Sequence, residues 1–118
     1  MEQAGRVKMD VIVYPTFGDL GDGELKVKEE HPDQWQQYKG HIKIGGYKLV
    51  LDGSPQARTA WMTEPYVGGG CGVPILEDGF VLDCMRKALA DDAQALVHCN
   101  GDAAGDQFLN AFETAYKE

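Results

Sequence analysis

Residues 93–99 read AQALVHC, and inside them Ala95, Leu96 and Val97 run together without a polar break. A short, nearly continuous apolar run suits a strand covered on both faces, the usual condition of a parallel sheet. The flanks support that reading. Upstream, Phe80, Val81, Cys84, Met85, Ala88 and Leu89 share one helical face, which predicts an amphipathic helix over about residues 78–91. Downstream, Ala104, Phe108, Ala111, Phe112 and Ala115 predict a helix over about residues 103–117, with Asp102 placed as its N-cap.

Further out, Met9–Tyr14 (MDVIVY) is a β-branched run stopped by Pro15 and reads as a strand. His41–Ile44 and Tyr47–Leu51 read as strand on either side of Gly45-Gly46. Residues 18–31 are polar and glycine-rich, a loop, and Pro32–Tyr38 reads as a helical turn opened by proline. Residues 53–76 carry Pro55, Pro65, Pro74 and the run Gly68–Gly70, so they form a long irregular loop. Loops of this length inside a compact domain are functional or disordered, and Arg58, Trp61, Glu64 and Tyr66 argue against disorder here. Single strands alternating with helices imply an α/β fold with a parallel sheet and right-handed crossovers. No internal repeat and no low-complexity tract interrupts residues 1–118, which read as one unit.

Composition narrows the function classes. A chain of 118 residues, 43% hydrophobic and 25% charged, can bury a core. A net charge of −8 is repelled by nucleic acid and by anionic membranes, so neither is expected as a partner. No apolar run is long enough to span a bilayer or to serve as a secretory signal. Cys71, Cys84 and Cys99 are odd in number and form no C-x-x-C pair, which points to reduced thiols and a cytoplasmic setting.

Two polar groups interrupt the apolar strands. Residues 48–54 read KLVLDGS, so Lys48 opens an apolar run. A buried ammonium must find a partner or lose its proton. Lys48 either snorkels to water at the strand's entry, or its neutral amine adds carbon dioxide. The resulting carbamate would carry two hard oxygens able to bridge metal ions. His98 ends the other strand and is followed by Asn100-Gly101-Asp102. Carboxyl ends of parallel strands are where ligands bind. His98 is either a hydrogen-bonded strand-end histidine or a metal ligand or acid–base group. Cys99 points to the opposite strand face from His98, which argues against a Cys–His catalytic pair. His31 and His41 lack ligand spacing and read as surface residues. Gly68–Gly72 is not a phosphate loop, and Ser54 lacks the G-x-S-x-G elbow.

GGYKLVLDGSPQARTAWMTEPY (45–66) and VHCNGDAAGDQFLNAFETA (97–115) resemble two signature blocks of the YtcJ-like metal-dependent amidohydrolases, in the family's order. The resemblance covers about residues 40–118. It implies a (β/α)8 barrel with a metal site at its C-terminal mouth and hydrolysis of C–N bonds, amide or N-formyl, by a metal-activated water. It implies that Lys48, carboxylated in the family, and His98 match metal ligands. It implies that Asp52, Arg58 and Thr59 shape the substrate pocket. A divalent metal, zinc by family habit, would be the cofactor and a small amide the substrate. The family's H-x-H pair is absent here, and a whole barrel takes about 200 or more residues. The chain is therefore expected to be the middle of a barrel, a fragment inactive alone and self-associating through exposed edges, with Lys48 unmodified. The alternatives are a small standalone α/β binding or structural module that has lost the metal chemistry, or assembly with the rest of the barrel on a separate chain.

Overall fold

The computed structural model describes residues 6–17 and 26–118; residues 18–25 of the expected polar loop lie outside the described residues. The elements are β1 (Val11–Val13), α1 (Val27–Glu30), β2 (Ile42–Ile44), β3 (Gly46–Val50), α2 (Asp78–Ala90), β4 (Gln94–His98) and α3 (Asp102–Lys117). All pairing between named strands is parallel. Val11–Val13 align with Ile42–Ile44, and Gly46–Val50 align with Gln94–His98. The two ladders meet where the chain beyond β1 bridges Lys48. There Lys48 N–H donates to Pro15 C=O at 2.9 Å, and Phe17 N–H donates to Lys48 C=O at 3.0 Å.

The β3–β4 sheet has two unlike faces, because strand side chains alternate. Tyr47, Leu49 and Leu51 are fully buried, and Leu49 and Leu51 pack with Val97 and Cys99 against the helices. Val81, Cys84 and Met85 of α2 and Ala104, Ala111 and Ala115 of α3 complete this core. Three alanines on α3 leave room for the larger α2 side chains. Each buried leucine contributes about 2 kcal/mol by removal from water. Burial also pushes the Cys84 thiol up to about 12, so it behaves as a small apolar side chain. Lys48, Val50, Leu96 and His98 belong to the other face, which no helix covers among the described residues.

Several expectations need correction. Lys48 is the middle residue of β3, not its entry, because Gly46 and Tyr47 already pair with β4. Phe80, Leu89 and Phe112, expected on buried faces, are about two-fifths exposed at 43%, 42% and 41%. Each helix meets the sheet along a stripe narrower than the apolar stripe in its sequence. On α3 the excess forms an aromatic row, with the Phe112 and Tyr116 rings stacked at 5.8 Å. The expected helical turn over Pro32–Tyr38 is a short turn after which Trp35 bridges Ile44. Asp102 is the first helical residue of α3, and Gly101 is its N-cap.

Candidate active-site strands and their supporting loop

The candidate site lies on the open face near the carboxyl ends of β3 and β4. Lys48 pairs with Leu96 and Val50 with His98, so Lys48 and His98 share one face, one two-residue step apart. Strand spacing and rise put their backbones about 8 Å apart, within reach of a long lysine side chain. Lys48 is half-buried, and no carboxylate among the described residues lies within ion-pair distance of it. His98 is held from one side. Its Nε2 lies 3.4 Å from Gly53 C=O and 3.7 Å from Asp52 Oδ1.

Asp52 is 1% exposed. Its Oδ1 accepts from Asn100 N–H at 2.8 Å, and its Oδ2 accepts from Gly101 N–H at 2.7 Å and Trp61 N–H at 2.9 Å. Burial by itself raises this carboxyl. The three backbone donors and the charge of His98 outweigh it and hold Asp52 below the usual carboxylate range.

The same few residues pin the long loop. Trp61 C=O accepts from Ala103 N–H at 3.2 Å and Ala104 N–H at 3.4 Å, which satisfies donors left free at the start of α3. A side chain at Gly101 could not coexist with this contact, since a Cβ there would lie 1.8 Å from Trp61 O. Asp102 accepts from Thr63 through both its backbone N–H (2.8 Å) and its hydroxyl, and from Ala103 N–H at 3.0 Å. The Thr63 hydroxyl leads the causes that lower the Asp102 carboxyl. The N-terminus of α3 is thus filled by the chain's own groups rather than left open as an anion site.

Arg58 and Thr59 sit in a tight loop opened by Ser54. Arg58 N–H donates to Pro55 C=O at 3.0 Å and Thr59 N–H to Ser54 C=O at 3.0 Å, with Arg58 in the left-handed region at φ 57°. Thr59 Oγ1 accepts from Ser54 N–H at 3.0 Å. It packs so close to Gly53 that a Cβ there would lie 2.0 Å from it. The Arg58 guanidinium lies beside Gly68, is exposed, and makes no hydrogen bond or ion pair among the described residues.

His98 and Asp52 therefore meet at the strand end, with Lys48 one two-residue step away on the same face, while Arg58 and Thr59 belong to the adjoining loop. Sequence reasoning missed Trp61 and Gly101 as parts of the support. Their contributions are a backbone N–H, a carbonyl and a missing side chain, and the one visible signal was a glycine before the α3 pattern. As a metal site the residues fit in part. Lys48 and His98 share a face with suitable donor chemistry, but no group of three His, Cys, Asp or Glu among the described residues could hold an ion. No helix among them is long and apolar enough to cross a membrane.

Comparison with known proteins places the chain in a family. An amidohydrolase family model, Amidohydro_3, matches residues 1–118. The chain is 33% identical over 95 residues to "Putative amidohydrolase YtcJ" of Bacillus subtilis, covering 75% of this chain and 18% of that protein. It is 32% identical over 75 residues to the exoenzymes regulatory protein AepA of Pectobacterium carotovorum, covering 64% of this chain and 16% of that one. Among solved structures, an uncharacterized metal-dependent hydrolase of Pyrococcus furiosus superimposes with a TM-score of 0.75 at 29% identity, over 98% of this chain and 24% of that one. One from Pyrococcus horikoshii does so with a TM-score of 0.73 at 28% identity, over 96% and 23%. The chain thus spans about a sixth of its curated relatives and about a quarter of the solved ones. With the family model matched over the full length, the chain belongs to the amidohydrolase family.

Proposed function

We propose that this chain is the central part of a (β/α)8 barrel in a metal-dependent hydrolase of C–N bonds, and that Lys48 and His98 are two of its metal ligands. The observation that carries the reading is their shared position. They are polar side chains on the uncovered face of adjacent parallel strands, next to the carboxyl ends where barrel sites are built. A bound divalent metal, with zinc expected, would supply an activated water and polarise the amide or N-formyl carbonyl. The chain's own residues would do the rest. Lys48 as its carbamate and the His98 ring present donors to the lumen. Arg58, exposed beside the glycine-rich turn, offers its guanidinium to an anionic or polar part of the substrate. Thr59 and Asp52 keep that loop in place.

A catalytic zinc wants three protein ligands, and the described residues offer two, so the chain alone is expected to be inactive. Its Cα radius of gyration, 16.6 Å, exceeds the roughly 13.5 Å of a compact chain this long, as suits an open piece of a closed barrel. β4 pairs only with β3 among the named strands, so its outer edge invites a further strand, and self-association follows. A clean monomer at high concentration in sedimentation would refute that part.

The scarcity of ligands also favours a second reading, a binding or structural module without metal chemistry. One experiment separates the two. In a longer hydrolase containing this segment, metal content is measured together with the mass of the peptide bearing Lys48. About one or two metal ions per chain, lost in Lys48→Met and His98→Ala, support the hydrolase reading. Metal binding unaffected by both substitutions rejects it.

A further inference from the structure

We propose that Asp52 is a positioning residue that sets the His98 ring, and not a group that meets substrate. The proposal rests on the reading of His98 as a ligand only for its functional meaning. Its geometry stands apart from that reading.

The Asp52 side chain has no exposed surface, so no substrate reaches it without opening the loop. Two of its three donors, Asn100 N–H and Gly101 N–H, belong to the residues that follow His98-Cys99. The carboxylate thus fixes the chain just past β4, and with it the direction in which His98 leaves the strand. The third donor, Trp61 N–H, brings the long loop down onto the same carboxylate. Asp52 Oδ1 and the neighbouring Gly53 carbonyl are both acceptors, and both lie on the Nε2 side of the ring at 3.7 and 3.4 Å. Asn100 Nδ2 donates to the same Gly53 carbonyl at 3.0 Å and steadies it. An acceptor pair on one side assigns the proton to Nε2 and leaves the Nδ1 lone pair free.

Asparagine cannot replace this carboxylate. One of its two terminal atoms is an NH2 group, which would face a backbone N–H donor instead of accepting from it. Either the turn after β4 or Trp61 must then move.

The test is nitrogen NMR of the histidine rings in the full, metal-free chain at mildly alkaline pH. The unsubstituted chain should show His98 protonated on Nε2. In Asp52→Asn the ratio of Nε2–H to Nδ1–H forms should fall about twofold, since the carboxylate at 3.7 Å acts by its charge and the Gly53 carbonyl remains as acceptor. Leu49→Ala destabilises the core without touching Asp52, so it separates a structural effect from a positioning one. It should leave the His98 signals unchanged. Unaltered His98 signals in folded Asp52→Asn, or equal changes in Leu49→Ala, overturn the proposal. If Asp52→Asn does not fold, the unsubstituted chain decides, and a dominant Nδ1–H form or an even mixture overturns it. Adding zinc to the same sample tells the two readings apart. His98 signals that ignore zinc but keep the Nε2 proton count against the metal reading and leave the positioning role standing.

Discussion

The two ends of the β3–β4 ladder each bury an aspartate, and they do so by different means. At the amino end Asp91 is 8% exposed and is met by side chains. The fully buried Tyr47 hydroxyl donates to its Oδ2 at 2.5 Å, Lys87 approaches the same oxygen at 3.1 Å, and Lys28 lies 3.9 Å from Oδ1. At the carboxyl end the partners of Asp52 among the described residues are backbone N–H groups, apart from the nearby His98. Both carboxyls are lowered, each against the opposing effect of its own burial. Burial, and then the Asp91 contact, push the Tyr47 hydroxyl well above its ordinary range. Side-chain partners can be exchanged one at a time. Backbone donors cannot, so the Asp52 end is the more rigid frame, and it is the end that carries Lys48 and His98.

That contrast can be broken by substitution. Asp52→Ala leaves the buried Gly101 N–H and the part-buried Trp61 and Asn100 N–H groups without their acceptor, the buried one at about 1–3 kcal/mol and the others at less. A loss of about 3 kcal/mol is expected in urea unfolding, a large share of a marginal chain's stability. Tyr47→Phe removes one donor while Lys87 still meets Asp91, so about 1–2 kcal/mol is expected by the same measurement. Equal losses at the two positions would erase the distinction.

Acid titration sharpens it. Both folded carboxyls titrate below the ordinary value of 3.8, so the unfolded chain takes up protons first as pH falls. The stabilisation is complete above the ordinary range and is lost as pH falls through it toward the folded values. Unfolding free energy measured against pH should decline on that acid limb. Where Asp52→Asn folds, it should decline less steeply. An unchanged slope would mean that Asp52 is not held in its charged form.

The smallest stability effect belongs to Lys48. Its ammonium meets no carboxylate among the described residues, so Lys48→Met should change unfolding by no more than about 0.5 kcal/mol. A larger loss would give Lys48 a structural role and weaken its reading as a ligand.

Much of the frame was legible in the sequence, for reasons particular to each part. The runs YKLVL and ALVH are buried on their helix side by aliphatic residues with strong strand preference, so their apolar signal survives. The spacing in α2 and α3 located both helices to within a residue or so, because each packs one stripe on the sheet. Helix exposure was less legible. Phe80, Leu89 and Phe112 fit the period, yet period alone does not say how much of a stripe the neighbours cover. Lys48 was expected at the strand entry because glycines preceded it, and Gly46 turned out to be a paired strand residue. The Asp52 support was hidden for another reason. Its partners are peptide groups 9, 48 and 49 residues away, and a backbone donor has no letter in the sequence. Asp102 read as a cap because Asp is a good one, but Gly101 took that place under the Trp61 carbonyl, where only glycine fits.

In the proposed hydrolase, Lys48 and His98 on the open face form the beginning of a metal centre. The most direct test is paramagnetic NMR of the chain titrated with Mn2+. Signals of His98, Gly53 and Lys48 should broaden first, with the effect abolished in His98→Ala. Broadening that starts at surface acids such as Asp10 or Asp33, with His98 untouched, would contradict it.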